Sequence, residues 1–421
     1  MSVRTTMTDP STADIERVFR DEYGRAVAVL TRVFGDIDVA EDAVQDAFSS
    51  AVERWPAEGI PPSPAGWIIT TARRRAIDRA RREAARSVKY AEADLLHPAS
   101  GAVLDPEAVV SPEIPDDRLR LIFTCCHPAL APESRVALTL RLLCGLTTTQ
   151  IARAFIVPES TMGQRISRAK RKIRDARIPF RVPSPNDLPE RLDAVRSVLY
   201  LVYTEGHTTS GGSELADADL CAEAVRLGRL LAGLVPDDPE TTGLLALMLL
   251  GESRRAARTG PGGGLVLLAD QDRSLWDRTL IEQGQALVRR TLRWNRPGPY
   301  QIQAAIAAVH ADAATIADTD WAQIVALYDL LSASIPTPVV ALHRAVALAE
   351  VDGPAAALDI VDRLDLDRYH VFHAARADLL RRLGRTSEAS AAYDTAAERT
   401  ENTIERAHLL RRRDELREEL S

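Results

Sequence analysis

The sequence predicts an all-α protein made of several helical domains. Three observations carry that expectation. Ala, Leu and Arg dominate the composition, aromatic residues make up only 5%, and the alternation of β-branched residues that marks strands is almost absent. Hydrophobic residues are 46% of the 421, enough for real cores, and a chain of this length suggests roughly three domains of about 150 residues. No apolar run approaches the roughly 20 residues that span a bilayer. The start, MSVRTTMTDPSTA, lacks the apolar centre of a secretory signal and reads as a frayed tail. Cys125, Cys126, Cys144 and Cys221 are irregularly spaced, which suits buried thiols in a reducing cytoplasm. The run Cys125-Cys126-His127 has no second ligand pair and makes a poor tetrahedral site, so neither metal nor cofactor is expected.

Composition divides the chain. Residues 90–112 are acidic and Pro-containing and read as a linker; residues 178–190 hold four prolines in thirteen positions and read as a second. That leaves blocks at 1–89, 113–177 and 191–421. The segment RTGPGGGLV at 258–266 reads as a loop inside the last. The net charge of -7 conceals local extremes: seven acidic residues against one basic over 36–58, eight basic against two acidic over 73–89, ten basic against two acidic over 141–181. Basic patches on short helices favour nucleic acid, because neutralising phosphates releases counterions; a solvated face is the bland alternative.

In the first block, DIDVAEDAVQDAFSSAVERW (36–55) reads as a helix with Val39, Ala43, Val44, Ala47, Phe48 and Val52 inward. Asp38, Glu41, Asp42 and Asp46 are expected to project outward along its first turns, where the macrodipole favours acids. A Pro-rich loop at 56–64 follows. Next comes AGWIITTARRRAIDRARR, with Trp67, Ile68, Thr71, Ala72 and Ile77 as an apolar stripe and Arg73, Arg74, Arg75, Arg79, Arg81 and Arg82 on the polar face.

The second block holds a helix-turn-helix. Pro132 suits a first helical position, and Gly145 suits the end of that helix. Thr147 and Gln150 have the spacing of a capping box, and Val157-Pro158 supplies a short turn. The last helix spaces Met162, Ile166, Ala169 and Ile173 on one face. Ser160, Thr161, Gln164, Arg165, Arg168, Arg171 and Lys172 lie on the other. A second helix apolar on one side and basic on the other suits the major groove, its early residues reaching base edges and its later ones phosphates.

In the third block, segments from 341 and from 374 read as successive helix-turn-helix repeats, with Ala389, Tyr393 and Ala396 in a small-aromatic-small pattern, Gly384 at the turn, and Ala357 lying 32 residues before Ala389. Glu205 with His207, and Asp270, Asp272 and Asp277 around Trp276, could serve acid-base chemistry. The blander reading is a structural His, and a self-paired helix start in DQDRSLWDR.

Taken together, the motifs resemble the sigma-70 family of RNA polymerase sigma factors, of the extracytoplasmic-function type, over roughly the first 180 residues. DVAEDAVQDAFSSAVERW is similar to the family's core-polymerase-binding helix, PAGWIITTARRRAIDRARR to its -10 recognition helix, and GLTTTQIARAFIVPESTMGQRISRAKRKI to its -35-reading helix-turn-helix. The resemblance implies sigma region 2 at 1–89 and sigma region 4 at 113–177. It assigns Asp38, Glu41, Asp42, Gln45, Asp46 and Phe48 to the polymerase clamp coiled coil. It assigns Trp67, Arg73, Arg74, Asp78 and Arg79 to the -10 element, and Glu159, Ser160, Thr161, Gln164, Arg165 and Arg168 to the -35 element. The loop at 56–64 matches the one that captures a flipped base, and the acidic linker fits a segment threaded through a basic channel. Three departures stand out: Arg74 where many relatives have Asn, Pro158 in place of a common Ser cap, and the insertion TCCHPAL. The whole layout resembles the subgroup with a long tetratricopeptide-like extension. The resemblance implies a cytoplasmic, non-enzymatic initiation factor with no cofactor. Its partners are core RNA polymerase and promoter DNA, with a regulatory extension that contacts the sigma blocks. The competing readings are a helix-turn-helix repressor with a ligand-sensing third block, and a helical scaffold. Only the sigma reading explains an acidic helix placed before the -10-like helix.

Overall fold

A computed structural model describes residues 12–91, 114–155, 157–184, 186–209 and 211–419. The chain divides into two compact units; the first holds residues 1–152 and 157–198, the second 153–156 and 199–421. The acidic linker at 90–112 lies almost wholly outside the described residues. Among the described residues no helix is long and apolar enough to cross a membrane.

The first unit begins with three helices, α1 (Thr12–Phe34), α2 (Ile37–Glu58) and α3 (Pro64–Ala91). Val27, Leu30, Val44, Ala47, Trp55, Ile68 and Ala72 close their shared core. The Phe19 and Phe48 rings meet edge-on at 4.7 Å. Helix α2 runs past Pro56 to Glu58 and stops at Gly59, whose φ of 81° suits glycine and whose N–H reaches Trp55 O. The loop expected at 56–64 is therefore only 59–63.

The same unit continues with α4 (Ile114–Cys125), α5 (Pro132–Leu142), α6 (Thr148–Ala154) and α7 (Glu159–Asp175). Leu121, Phe123, Leu138, Leu140, Ile151 and Met162 form their core. Gly24 of α1 lies against this second group: a Cβ there would stand 2.3 Å from Leu143 O. The stretch 178–190, expected as a linker, packs on α4. Thr124 Oγ1 donates to Pro179 O at 3.3 Å and Arg191 Nη2 to Phe123 O at 2.7 Å. Helix α8 (Leu188–His207) begins within it. All four cysteines are buried, and none forms a disulfide.

The second unit is a run of helices. α10 (Pro239–Glu252), α11 (Arg278–Leu292) and α12 (Pro299–Asp312) share a core that includes Leu250, Trp276 and Ile281. α9 (Ala218–Leu234) packs on α10. α13 (Trp321–Ser334) and α14 (Pro338–Val351) add Ile324 and Leu331. α14, α15 (Pro354–Val361), α16 (His370–Arg382), α17 (Thr386–Arg399) and α18 (Thr403–Glu419) close around Leu342, Ala357, Ala389, Tyr393 and Ala396. Gly384, at φ 71°, makes the α16–α17 turn. One feature escapes the all-helical expectation. Two-residue strands, β1 (Gly211–Gly212) and β2 (Glu401–Asn402), pair in parallel. Asn402 is fully buried; its Nδ2 donates to Thr209 O and Glu214 O, and its Oδ1 accepts from Ile404 N and Glu405 N at the start of α18. One side chain thus both caps α18 and ties it to the chain after α8.

Candidate polymerase and promoter interface

Helix α2 begins where Asp36 accepts from Asp38 N and Val39 N, a side-chain N-cap. Its buried residues, Ile37, Ala40, Val44, Ala47, Phe48, Ala51 and Trp55, recur every three or four positions. That stripe corrects two expectations. Val39 is 43% exposed and Val52 58%, so neither faces the core. Glu41, expected outside, is 3% exposed, because it falls on the inner line Ile37–Glu41–Val44–Phe48.

Glu41 is fully ligated. Its Oε1 accepts from Arg141 Nε at 2.5 Å and Gln45 Nε2 at 3.1 Å, with Tyr23 Oη at 3.5 Å; its Oε2 accepts from Lys170 Nζ. Lys170 also donates to Asp38 at 2.9 Å, and Arg174 reaches Asp38 at 3.2 Å. Arg141 donates onward to Leu146 O at 3.0 Å, tying α5 to the turn before α6. Burial alone would lower the Lys170 ammonium, but Glu41 and Asp38 outweigh it and hold it above its ordinary range. Burial, followed by the Glu41 charge, pushes the Tyr23 phenol well up. The region 2-like acidic helix is therefore clamped by the region 4-like helices. A buried pair of this kind is costly to break, at about 3–5 kcal/mol when one partner is removed, because the other charge is left uncompensated.

The remaining acids behave as expected. Asp42 and Asp46 are exposed, and Asp42 meets Arg79 of α3 at 3.1 Å in a solvent-exposed pair, which contributes little. Gln45 is exposed, while Phe48 is buried against Phe19. On α3, Arg74, Arg75, Asp78 and Arg79 are exposed and Arg73 half-buried. Trp67 is half-buried, its indole edge-on to Trp55 at 5.3 Å.

The helix-turn-helix follows the sequence closely. Thr147 N donates to Gln150 Oε1 at 2.8 Å and Gln150 N to Thr147 Oγ1 at 3.2 Å, a reciprocal capping box. Pro158 precedes α7 with no side-chain cap bond, so the helix starts directly at Glu159. Met162, Ile166, Ala169 and Ile173 are buried. Glu159, Ser160, Thr161, Gln164 and Arg168 are exposed, Arg165 is half-buried, and Arg168 Nη2 donates to Gln164 Oε1 at 3.4 Å. Lys170 and Arg174 occupy a third face, turned to α2. Sequence reasoning named neither, nor Arg141. The available signal was charge complementarity between the acidic 36–58 stretch and the basic 141–181 stretch, since Lys170 and Arg174 stand i, i+4 and Asp38 and Glu41 i, i+3.

Two of the carboxylates suggested for chemistry, Asp272 and Asp277, have structural work. Asp272 accepts from Ser274 N and Asp277 from Leu280 N, each capping a helix start. His207 Nδ1 lies 3.3 Å from Tyr203 Oη.

Comparison with known proteins agrees with this architecture. Residues 18–86 match the family model for sigma-70 region 2 and residues 120–173 that for sigma-70 region 4. Residues 191–292 match a family of unknown function, DUF6596. An uncharacterised protein of Rhizobium meliloti is 43% identical over 417 residues, 97% of each chain. The probable ECF RNA polymerase sigma factor SigI of Mycobacterium tuberculosis is 32% identical over 166 residues, 39% of this chain and 56% of its own length. The ECF RNA polymerase sigma factor SigK of Mycobacterium bovis is 32% identical over 158 residues, 36% of this chain and 79% of its own. No solved structure matches the chain. With regions 2 and 4 in order and a further helical block behind them, the chain belongs to the extracytoplasmic-function branch of the sigma-70 family, DNA-binding transcription-initiation factors, and carries a C-terminal extension.

Proposed function

We propose that this sigma factor docks on core RNA polymerase through α2, reads the -10 element with α3 and the -35 element with α7, and is governed by its extension. The observation that carries the reading is one folded unit presenting an acidic face on α2, an arginine-rich face on α3 and a polar-basic face on α7. Asp42, Gln45 and Asp46 offer the polymerase an exposed acidic surface; Asp38 and Glu41 complete it once Lys170, Arg174 and Arg141 let go, and Phe48, packed on Phe19, supports the helix from within. Arg73, Arg74, Asp78 and Arg79, with Trp67 beneath them, face the -10 element, and the loop at 59–63 takes an unstacked base. Unstacking that base costs a few kcal/mol, offset by contacts to it. Glu159, Ser160, Thr161, Gln164, Arg165 and Arg168 read the -35 element.

Reversing Asp42 and Asp46 to Lys abolishes co-purification with core polymerase while the circular dichroism spectrum stays unchanged, since exposed changes cost under about 0.5 kcal/mol. Retained binding by the double variant rules the α2 surface out. The extension, about half of the chain and rich in helical hairpins suited to protein surfaces, sets the output of the sigma blocks. Truncation after Val198 changes transcription from the cognate promoter, a loss marking a required partner and a gain marking a mask. Unchanged output rules out a regulatory role.

A further inference from the structure

Three elements of the second unit bring cationic and N–H donor groups together, and several of those donors have no acceptor. Arg254 lies just past the end of α10. Arg273 and Trp276 sit on the short turn before α11, and His310 on the last turn of α12. Arg273 is 8% exposed and Trp276 3%. The Arg273 guanidinium lies 4.7 Å from the centre of the Trp276 indole and that of Arg254 5.9 Å. Arg273 Nη1 donates to His310 O and Ala313 O, both at 2.6 Å, which fixes the guanidinium against α12. Its Nη2, the Trp276 Nε1 and the His310 Nδ1 are buried with no hydrogen-bond partner. Arg258, on the following turn, donates to His207 O and to Thr208 Oγ1.

Charge sharpens the picture. Among the described residues no carboxylate stands within ion-pair distance of Arg254, Arg258 or Arg273, in a chain whose other arginines repeatedly find acids. Burial lowers all three guanidiniums. Arg254 feels only Tyr203 as an opposing group, against Arg258 and Arg273, whereas Arg273 feels the more distant Asp318 and Arg258 feels Glu252 and Glu405. Burial, with Arg254 and Arg273 alongside, pushes the His310 imidazole down to about 4, so it stays neutral. Buried indole N–H groups normally find a partner, and a desolvated guanidinium without a counter-charge is costly. Water could satisfy an N–H but would leave the charge uncompensated.

We propose that the extension binds a small anion, bearing a carboxylate or a phosphate, at the cluster of Arg254, Arg273, Trp276 and His310. Guanidinium groups match the paired oxygens of both chemistries. Arg254 is half-buried, and Arg273 is preorganised by the two carbonyls that hold it. The site would give the extension a small-molecule input. It stands independently of how α2, α3 and α7 are used.

The test is thermal melting of the full chain titrated with sodium phosphate and, separately, sodium malonate. Ionic strength is matched with chloride, and concentrations stay in the low millimolar range, where general solute exclusion is negligible. A saturable rise in Tm of at least about 4 °C is expected for one or both. A rise with malonate alone identifies a carboxylate ligand, with phosphate alone a phosphate ester. No rise over chloride with either overturns the proposal. Arg254→Gln is the companion variant. Because the Arg254 guanidinium has no hydrogen-bond partner among the described residues, neutralising it should raise Tm in chloride and abolish the rise with the anion. A variant that melts lower in chloride, or keeps the full anion response, overturns it equally.

Discussion

Glu41 collects four donors from four helices onto one carboxylate, and its two cationic partners, Arg141 and Lys170, stand 100 and 129 positions away. Nothing local announces this. The acid lies in a run of acids, and a helical period of 3.6 leaves its side undecided until the partners are known. Replacing Glu41 by Gln should lower the stability of the first unit by about 3 kcal/mol, read from the urea midpoint, since Arg141 would lose its counter-charge and Lys170 would keep only Asp38. The exposure of Asp42 and Asp46 was legible because both fall off the apolar stripe of α2. Arg165 was legible in the same way, as the residue opposite Met162 and Ile166. Arg165→Ala should weaken transcription by about 1–3 kcal/mol in a promoter-dependent manner if it meets a base. An equal loss on every promoter would assign it to a phosphate.

Among elements, α6 and α7 were read almost completely from sequence, because their signals are local: a capping box, a Pro turn and a four-residue stripe. Thr147→Ala removes one half of the box and should cost about 1 kcal/mol in unfolding experiments. Helix α2 was read correctly in type but not in orientation, since Val39 and Val52 compete with Ala40 and Ala51 for the inner stripe. The turn holding Arg273 was read as a self-paired helix start. Asp277 does cap α11, but the guanidinium of Arg273 is directed at carbonyls of α12 and its end some 40 residues on, a long-range pairing that composition and period cannot reveal. The two-residue β1–β2 pair was missed for the same reason, joining segments 190 residues apart in sequence.

For the molecule as a whole, acid should act first on the extension. Burial, with Arg258 and Arg254 nearby, lowers His207 to about 3; burial with Arg254 and Arg273 lowers His310 to about 4. The unfolded chain binds these protons near pH 6.5, so between pH 6.5 and about 4 it holds more protons than the folded one, and stability falls as pH falls. Melting temperature should drop across that window, and less so in His310→Gln. Composition separates three blocks because linkers and charge runs differ from helices, whereas the chain packs as two compact units, the first of which holds the first two blocks almost entirely. The packing of the 178–190 stretch was not legible, because prolines mark a break in helix whether or not the segment is bound. The clamp on Glu41 has one further consequence. If α2 and α7 can be engaged by outside partners only when they part, then polymerase and promoter DNA are coupled ligands: each selects the open population and so raises the other's affinity by the same factor. The free protein's affinity for either is reduced by the fraction that is closed. Lys170→Gln, which loosens the clamp without touching a residue assigned to polymerase or to DNA, should therefore tighten core binding by about tenfold and shrink the cooperativity between polymerase and the -35 duplex. Both are measurable by fluorescence anisotropy with and without the second partner.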